Sequence, residues 1–307
     1  MLKFVLKRVL KGIVCVWFIW TAIFFLVRLT GDPTDWMLPD GASDKDIANL
    51  RASMHLDEPL LKQYTDSFVD LLQGDAGNSY YYKRDVVGLY AERIGPTVKL
   101  AVPAFSLAIV FGILMGIYAA VKRNTLADRA SMTAAVILYT MPPFCLGIIM
   151  IVLFSLKLRW LPSSGMDDWK CIIMPAITLA ASPMANIARL TRSSLMDVMN
   201  KEYLDGARMK GLKEKTVILK HALRNSLIPV VTCVGMQLGT ILGGAVVVET
   251  VFTWPGMGMF LVTAAKQRDF PTVQYGVLIV AASVTLVNIL VDVSYGYLDP
   301  RIRDSFK

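Results

Sequence analysis

The sequence from Glu202 to Pro229 reads EYLDGARMKGLKEKTVILKHALRNSLIP, and the interpretation of the whole chain depends on it. This stretch is polar and basic, and apolar runs long enough to cross a bilayer lie on both sides of it. Lysine and arginine accumulate in the cytoplasmic loops of membrane proteins. We therefore predict that residues 191–226 form a cytoplasmic loop between two transmembrane helices.

The first part of this loop predicts a short helix. Asn200 can cap its start, Glu202 lies in its first turn, and Gly211 can adopt the left-handed conformation that often follows a helix. Gly206 and Ala207 leave one face without bulky side chains, so another protein could approach the backbone closely. The alternative is a solvated helix that only follows the charge rule for cytoplasmic loops.

The apolar runs around the loop predict an all-α, polytopic membrane protein. The chain has 307 residues, of which 55% are hydrophobic, and a net charge of +8. Because the basic residues collect in the predicted cytoplasmic loops, topology explains the charge and no nucleic-acid partner is indicated. The start of the chain (1–29) and its tail (299–307) are expected to place both termini in the cytoplasm. Six transmembrane helices are predicted, at residues 12–29, 98–121, 130–156, 171–190, 227–248 and 272–298.

Residues 30–97 form the longest stretch between predicted spans, and we expect them on the external side of the membrane. Acidic residues dominate there, in contrast to the basic cytoplasmic loops. Leucine and aromatic residues recur at roughly helical spacing, which favours short packed helices over a disordered linker. We therefore predict an ordered helical cap over the outer mouth of the bundle.

Two of the predicted spans have features that affect helix packing. The third contains the sequence Met141-Pro142-Pro143-Phe144. A double proline leaves backbone carbonyls unpaired, which is tolerated inside a membrane only where protein or a water-lined cavity receives them. The second carries Gly112 and Gly116, a spacing that permits close contact with another helix.

Polar residues and glycines inside the predicted spans are the candidates for a transport pathway or for helix seams. They are Asn186, Gly235, Gln237, Gly239, Gly243, Asn288 and Asp292. The four-residue spacing of the glycines favours a tight seam between helices over direct contact with a substrate. An acid inside a membrane helix is a candidate functional residue. Asp292, however, lies near the inner end of its span, and we favour a cap there or a pair with Arg301.

The order of residues in the cytoplasmic loop resembles that of a known family. Glu202, Gly206-Ala207, Gly211 and the sequence Leu227-Ile228-Pro229 resemble the EAA loop of permease subunits in bacterial ATP-binding-cassette (ABC) importers. The long interval between Gly211 and that last sequence is typical of the branch that carries dipeptides, oligopeptides, glutathione or nickel. The stretch Glu249–Gly258 is similar to an outer loop of the same branch.

The resemblance implies the type I ABC importer permease fold, in which this loop forms a coupling helix that docks on the ATPase. The partners that it implies are a second homologous permease, two ABC ATPase subunits, an extracytoplasmic substrate-binding protein and the lipid bilayer of the bacterial cytoplasmic membrane. The coupling residues that it implies are Glu202, Tyr203, Gly206, Ala207, Arg208, Lys210, Gly211 and Leu212.

The implied function is ATP-driven, binding-protein-dependent import of dipeptides, oligopeptides or glutathione, with nickel or a metal chelate as the alternative cargo. The chain lacks a G-x-x-x-x-G-K-[ST] loop, so ATP and Mg²⁺ would be bound by the partner ATPases. We expect no cofactor, catalytic residue or metal ligand in this chain. The competing class is an ion-coupled transporter or channel, which requires embedded ionisable groups. Asp292 is almost the only candidate for such a group, and that class leaves the Glu202–Pro229 motif unexplained.

Overall fold

The computed structural model describes residues 2–29, 31–32, 34, 43–54 and 56–298. In this part of the chain the secondary structure is helical, apart from one isolated β-bridge between Asn78 and Asp85. The predicted tail, residues 299–307, lies outside the described residues. The α-helices are α1 (Leu2–Leu29), α2 (Asp44–Ser53), α3 (Leu60–Leu72), α4 (Val86–Val121), α5 (Leu126–Thr140), α6 (Pro143–Met150), α7 (Ile173–Met199), α8 (Glu202–Met209), α9 (Glu214–Thr216), α10 (Leu223–Val251), α11 (Met257–Lys266) and α12 (Phe270–Leu298).

Short irregular helices extend three of these elements. A π-helix, Ile151–Lys157, continues α6, and a second one, Val217–Ala222, connects α9 to α10. The 3₁₀-helix Trp169–Ile172 leads into α7. Because these segments join their neighbours without a loop, α7 and α10 are long enough to pass through a bilayer and continue beyond it.

Among the described residues, five helices are long and apolar enough to cross a membrane: α1, α4, α7, α10 and α12. The predicted total of six is reached when α5 and α6 are counted as one span, which bends by 107°. The double proline explains the bend, since Met141 is extended and a new helix begins at Pro143. Residues at the bend line a cavity of about 180 Å³ next to α7 and α10, as expected for irregular backbone at membrane depth.

Helices α4 and α7 extend well beyond the predicted spans. Helix α4 begins at Val86 rather than at residue 98, because Asp85 caps it by accepting a hydrogen bond from the Gly88 backbone N–H (2.6 Å). Helix α7 continues to Met199 rather than ending at residue 190, and Leu195 on this extension is fully buried. The segment predicted to be external and the loop predicted to be cytoplasmic therefore contain less irregular chain than the sequence suggested.

The contact between α4 and α7 forms the centre of the bundle. Small buried residues recur at every fourth position of α4: Ala104, Ala108, Gly112, Gly116 and Ala120. A Cβ atom at Gly116 would lie 2.5 Å from the Cβ of Thr191, and one at Gly112 would lie 2.8 Å from the Met184 carbonyl oxygen. The predicted close helix contact at these two glycines is confirmed, because only small residues let the backbones approach so far.

At the end of the bundle remote from α8, on the side predicted to be external, the stretch Glu249–Gly258 connects three helices. The carboxyl group of Glu249 is fully buried. It accepts three hydrogen bonds, from Thr97 Oγ1 (2.6 Å), Gly258 N (2.7 Å) and Met259 N (3.1 Å). Buried Trp254 donates from Nε1 to the Pro96 carbonyl (2.8 Å). Because these bonds link α4, the end of α10 and the start of α11, this stretch is a hydrogen-bonded joint rather than a simple loop.

The predicted cap contains the short helices α2 and α3, and two anchors hold the segment that follows them to the bundle. Asp269 is fully buried and accepts hydrogen bonds from Ser79 Oγ (2.5 Å) and Tyr80 N (3.0 Å). The hydroxyl of Tyr90 donates to the Thr272 carbonyl (3.0 Å). Helix α3, in contrast, has no buried residue. The last part of the predicted external segment is therefore integral to the bundle, while α3 lies on its surface.

Candidate functional site: the basic loop and the intramembrane cavity

The basic loop contains the predicted short helix, α8 (Glu202–Met209). Lys201 precedes it in an extended conformation, and no side chain caps its start. The prediction that Asn200 caps α8 is wrong, because Asn200 ends α7 and its Oδ1 accepts a hydrogen bond from Arg123 (3.3 Å). Gly211 has a φ of +77°, which confirms the left-handed conformation expected after the helix.

Buried and charged contacts fix α8 against its neighbours. Leu204 is fully buried in a cluster that includes Ala120, Leu195, Val217 and Ala222. Tyr203 accepts a hydrogen bond at its hydroxyl from Asn225 Nδ2 on α10 (2.8 Å). Arg208 donates to Glu214 (3.0 Å) and Asp205 (2.8 Å), and these bonds, the one to Glu214 above all, raise the pKa of Arg208. Since these contacts reach both α7 and α10, α8 is expected to move together with those two helices.

The outward side of α8 is apolar in part. Met209 at its end is 83% exposed, and Leu212 and Tyr203 are also exposed. The resemblance placed Tyr203 and Leu212 among the coupling residues but left Met209 out. The sequence feature that could have identified Met209 is its apolar side chain between the charged residues Arg208 and Lys210 in a polar loop.

The predicted face of small residues is present only in part. A Cβ atom built at Gly206 or Gly211 would meet nothing within 4 Å, so both positions are open to a partner. Ala207 packs instead against the Leu204 cluster and supports the loop from inside. Arg208 is likewise engaged with carboxylates of the loop itself. Of the eight predicted coupling residues, six therefore remain accessible to a partner: Glu202, Tyr203, Gly206, Lys210, Gly211 and Leu212.

A cavity of about 720 Å³ lies between α5, α7 and α10. Two of the predicted pathway residues, Asn186 and Gln237, line it together. Arg189 also lines it, and this residue was missed although an arginine inside the fourth predicted span was a visible signal. One turn further along α7, Arg192 donates two hydrogen bonds to Asp128 (2.6 and 2.7 Å). The structure therefore brings amide and guanidinium groups to one cavity between these helices.

The glycine row on α10 is not one continuous seam. A Cβ atom at Gly239 would lie 3.1 Å from Asn288 Oδ1, so Gly239 and Asn288 form part of the contact between α10 and α12. At Gly243 a Cβ atom would meet nothing within 4 Å, and Gly235 is half-buried. The seam interpretation therefore fits Gly239, and Gly243 lies on an open face of this chain.

Asp292 has a basic partner across the contact between α1 and α12. Its Oδ2 lies 3.1 Å from Nη1 of Arg8. The favoured interpretation, an ion pair at the helix end, agrees with this contact, but the predicted partner Arg301 lies outside the described residues. Because its charge is paired, Asp292 no longer supports the ion-coupled alternative.

In the described part of the chain, no group of three or more His, Cys, Asp or Glu side chains is placed to hold a metal ion. The four cysteines are free thiols. Cys171 and Cys233 are buried in the bundle, and Cys15 is exposed on α1.

Membrane-crossing helices around a tightly packed centre, with a short exposed helix in the basic loop between α7 and α10, define a transport permease. Residues 112–304 match the family model described as "Binding-protein-dependent transport system inner membrane component". Residues 1–101 match the model of the corresponding N-terminal region. The chain belongs to this family of ABC importer permeases and is a multi-pass protein of the inner membrane.

Relatives in the same family cover the whole chain. The glutathione transport system permease protein GsiC of Escherichia coli strain K12 is 42% identical over 304 residues, which span 99% of both chains. The GsiC proteins of Salmonella choleraesuis strain SC-B67 and Shigella flexneri serotype 5b have the same identity and coverage. The resemblance to the peptide and glutathione branch is confirmed, and none of these relatives favours the nickel alternative.

Solved structures agree on the fold. An inward-facing MetNI methionine ABC transporter aligns with a TM-score of 0.57 and 17% identity, covering 69% of this chain and 97% of that one. An amino acid ABC transporter crystallised with histidines aligns with a TM-score of 0.53 and 11% identity, covering 67% of this chain and 92% of the other. At these identities the comparison concerns the fold alone, which is that of an ABC importer permease.

Proposed function

We propose that this chain is the membrane-spanning subunit of an importer that moves glutathione or short peptides into the bacterial cytoplasm. The observation that carries the proposal is the 42% identity to GsiC over 99% of both chains. Energy would come from ATP hydrolysis in separate subunits, which hold the ATP and Mg²⁺. This chain then contributes the pathway and the mechanical link, and needs no cofactor of its own.

The proposed assembly contains a second homologous permease, two ABC ATPase subunits and an extracytoplasmic substrate-binding protein. The outward side of α8 would lie in a groove of one ATPase, with Tyr203, Met209 and Leu212 as apolar anchors and Gly206 allowing close approach. Leu204 and Tyr203 tie α8 to α7 and α10, which line the intramembrane cavity. Closure of the ATPases would therefore displace the walls of the cavity through α8 and change its access.

The proposed orientation places α8 and both termini in the cytoplasm and α3 outside, because lysine and arginine concentrate in the loop around α8. We expect a single cysteine at position 213, in a variant without the four native cysteines, to resist an impermeant thiol reagent applied to intact cells. A cysteine at the exposed position 70 on α3 should react under the same conditions. Labelling of position 213 in intact cells, together with protection of position 70, would show that the orientation is the opposite of the one proposed.

The cargo assignment is tested with the complete transporter in proteoliposomes that contain ATP and receive the binding protein from outside. We expect ATP-dependent and binding-protein-dependent uptake of glutathione or a dipeptide, and no uptake of Ni²⁺ above that of empty liposomes. Uptake of Ni²⁺ with neither organic cargo transported would replace the proposed substrate class while leaving the family unchanged.

A further inference from the structure

We propose that Arg189 and Gln237 form a subsite that binds a carboxylate and an adjacent N–H group of the cargo during transport. This inference rests on the proposed function, since it assumes that the cavity between α5, α7 and α10 is part of the pathway. The volume of that cavity, about 720 Å³, falls within the range of about 300–1,000 Å³ that is usual for ligand pockets.

The charge of the cavity favours an anionic group. Two arginines and no acidic residue belong to its described lining. Arg192 is neutralised by its two hydrogen bonds to Asp128. For Arg189, the described residues supply only a ring contact, with its guanidinium carbon 5.6 Å from the centroid of Tyr139. Arg189 is exposed near the end of the predicted fourth span, so its guanidinium is available to an anionic group in the cavity. A carboxylate suits it best, because the two planar groups form parallel hydrogen bonds.

Gln237 adds a second, independent polar group. Its side chain is buried, and its Nε2 lies 3.7 Å from the Sγ of Cys233. Its Oε1 is buried without a hydrogen-bond partner in the described structure. Buried acceptors are nearly always paired in folded proteins, and this one borders the cavity that Arg189 lines. An N–H group of the cargo, from an ammonium or a peptide bond, would satisfy it.

A carboxylate at Arg189 and an N–H at Gln237 together describe the end of a peptide. Glutathione carries a carboxylate at each end of the molecule, so it has two ways of placing one against Arg189. The structure thereby assigns a cargo-selecting contact to the permease itself, in addition to any selection made by the binding protein.

The test compares glutathione with its diethyl ester, which lacks both carboxylates, in proteoliposomes that contain the complete transporter. Each cargo is supplied at a concentration that saturates the binding protein, so differences in uptake arise in the permease. For Arg189→Gln we expect the ratio of glutathione to ester uptake to fall about tenfold or more, as the loss of a charge-assisted hydrogen bond predicts. Arg189→Lys should recover a large part of the ratio, because it restores the positive charge.

The matched control is Arg129→Gln, which removes an exposed arginine of α5 that does not line the cavity and should leave the ratio as in the wild type. If Arg189→Gln lowered both cargoes equally, or changed neither, the subsite would be refuted. Either result would leave the proposed function standing, provided that the wild-type transporter imports glutathione. Failure of the wild type to import glutathione or a dipeptide would instead overturn the proposed function.

Discussion

Replacing Met209 with aspartate is expected to abolish cargo uptake while the permease remains folded in the membrane. The side chain is 83% exposed, so the free chain should change in stability by no more than about 0.5 kcal/mol. In the proposed complex the same position is buried against an ATPase. An unpaired charge buried there costs about 3–5 kcal/mol, which weakens the association by more than about a hundredfold.

The measurement is uptake normalised to membrane abundance, together with the amount of ATPase that co-purifies with the tagged permease. Leu126→Asp is the matched control, because Leu126 is an apolar residue with 82% exposure at the start of α5.

Two further variants test the same surface. Glu202→Lys should also lower uptake and the amount of co-purified ATPase, because Glu202 is exposed and its replacement alters the contact with the ATPase rather than the folding of the permease. Gly211→Val should add strain of about 1–3 kcal/mol, because its φ of +77° disfavours a β-branched residue. Normal uptake in the Met209, Glu202 and Gly211 variants would mean that α8 is only a solvated helix.

A second large effect is expected at the joint formed by residues 249–258, where Glu249→Ala should strongly destabilise the fold. The substitution removes the acceptor of two buried donors, on Thr97 and Gly258, and of the partly buried backbone N–H of Met259. An unsatisfied buried donor costs about 1–3 kcal/mol, so the total loss should be about 3 kcal/mol or more. That is a large fraction of the stability of a typical protein. We expect a lower melting temperature of the detergent-purified permease and a smaller fraction that elutes as a monodisperse peak.

Glu92→Ala provides the control, because Glu92 is an exposed glutamate on the outer part of α4 that pairs with Arg84. Because exposed ion pairs contribute little to stability, its loss should leave the melting temperature close to that of the wild type. Gly256→Ala tests the same joint by a different route, since a Cβ atom there would lie 2.3 Å from an oxygen of the Glu249 carboxyl group. If Glu249→Ala melted at the same temperature as Glu92→Ala, the joint would not support the fold as described.

The sequence was sufficient for the parts of the fold that depend on composition and local pattern. Apolar length predicted the membrane helices, and the double proline predicted the break between α5 and α6. The spacing of Gly112 and Gly116 predicted their close helix contact. Gly211 could be placed after α8 because few other residues adopt a positive φ there. Each of these predictions relies on a property of the residues near the feature itself.

Predictions failed or fell short where a distant residue decides the outcome. Asn200 has the side chain of a helix cap, but α7 continues as far as Met199 and Asn200 bonds to Arg123 instead. The start of α4 is set by the cap at Asp85, a local signal that the prediction did not use, and Val86 and Tyr90 support it by packing against α11. Periodicity could not indicate that Gly239 faces α12 while Gly243 lies open.

In the candidate site, too, local sequence predicted some features and packing between distant residues decided the others. The order of residues in the basic loop was enough to identify the family, but burial was needed to separate Ala207 and Arg208 from the outward residues and to reveal Met209. Asn186 and Gln237 were selected for their polarity alone. That they share a cavity with Arg189 follows only from the packing of α7 against α10.

The central claim is that the outward side of α8 is where the ATPase acts on this permease, and photo-cross-linking tests it most directly. A photoreactive amino acid at position 209 in the complete transporter should form a covalent product with the ATPase subunit. The same probe at position 70 on α3, at the proposed opposite face, should form none with it. Efficient cross-linking to the ATPase from position 209 is the predicted result. No ATPase product from position 209, in a transporter that remains active, would contradict the account.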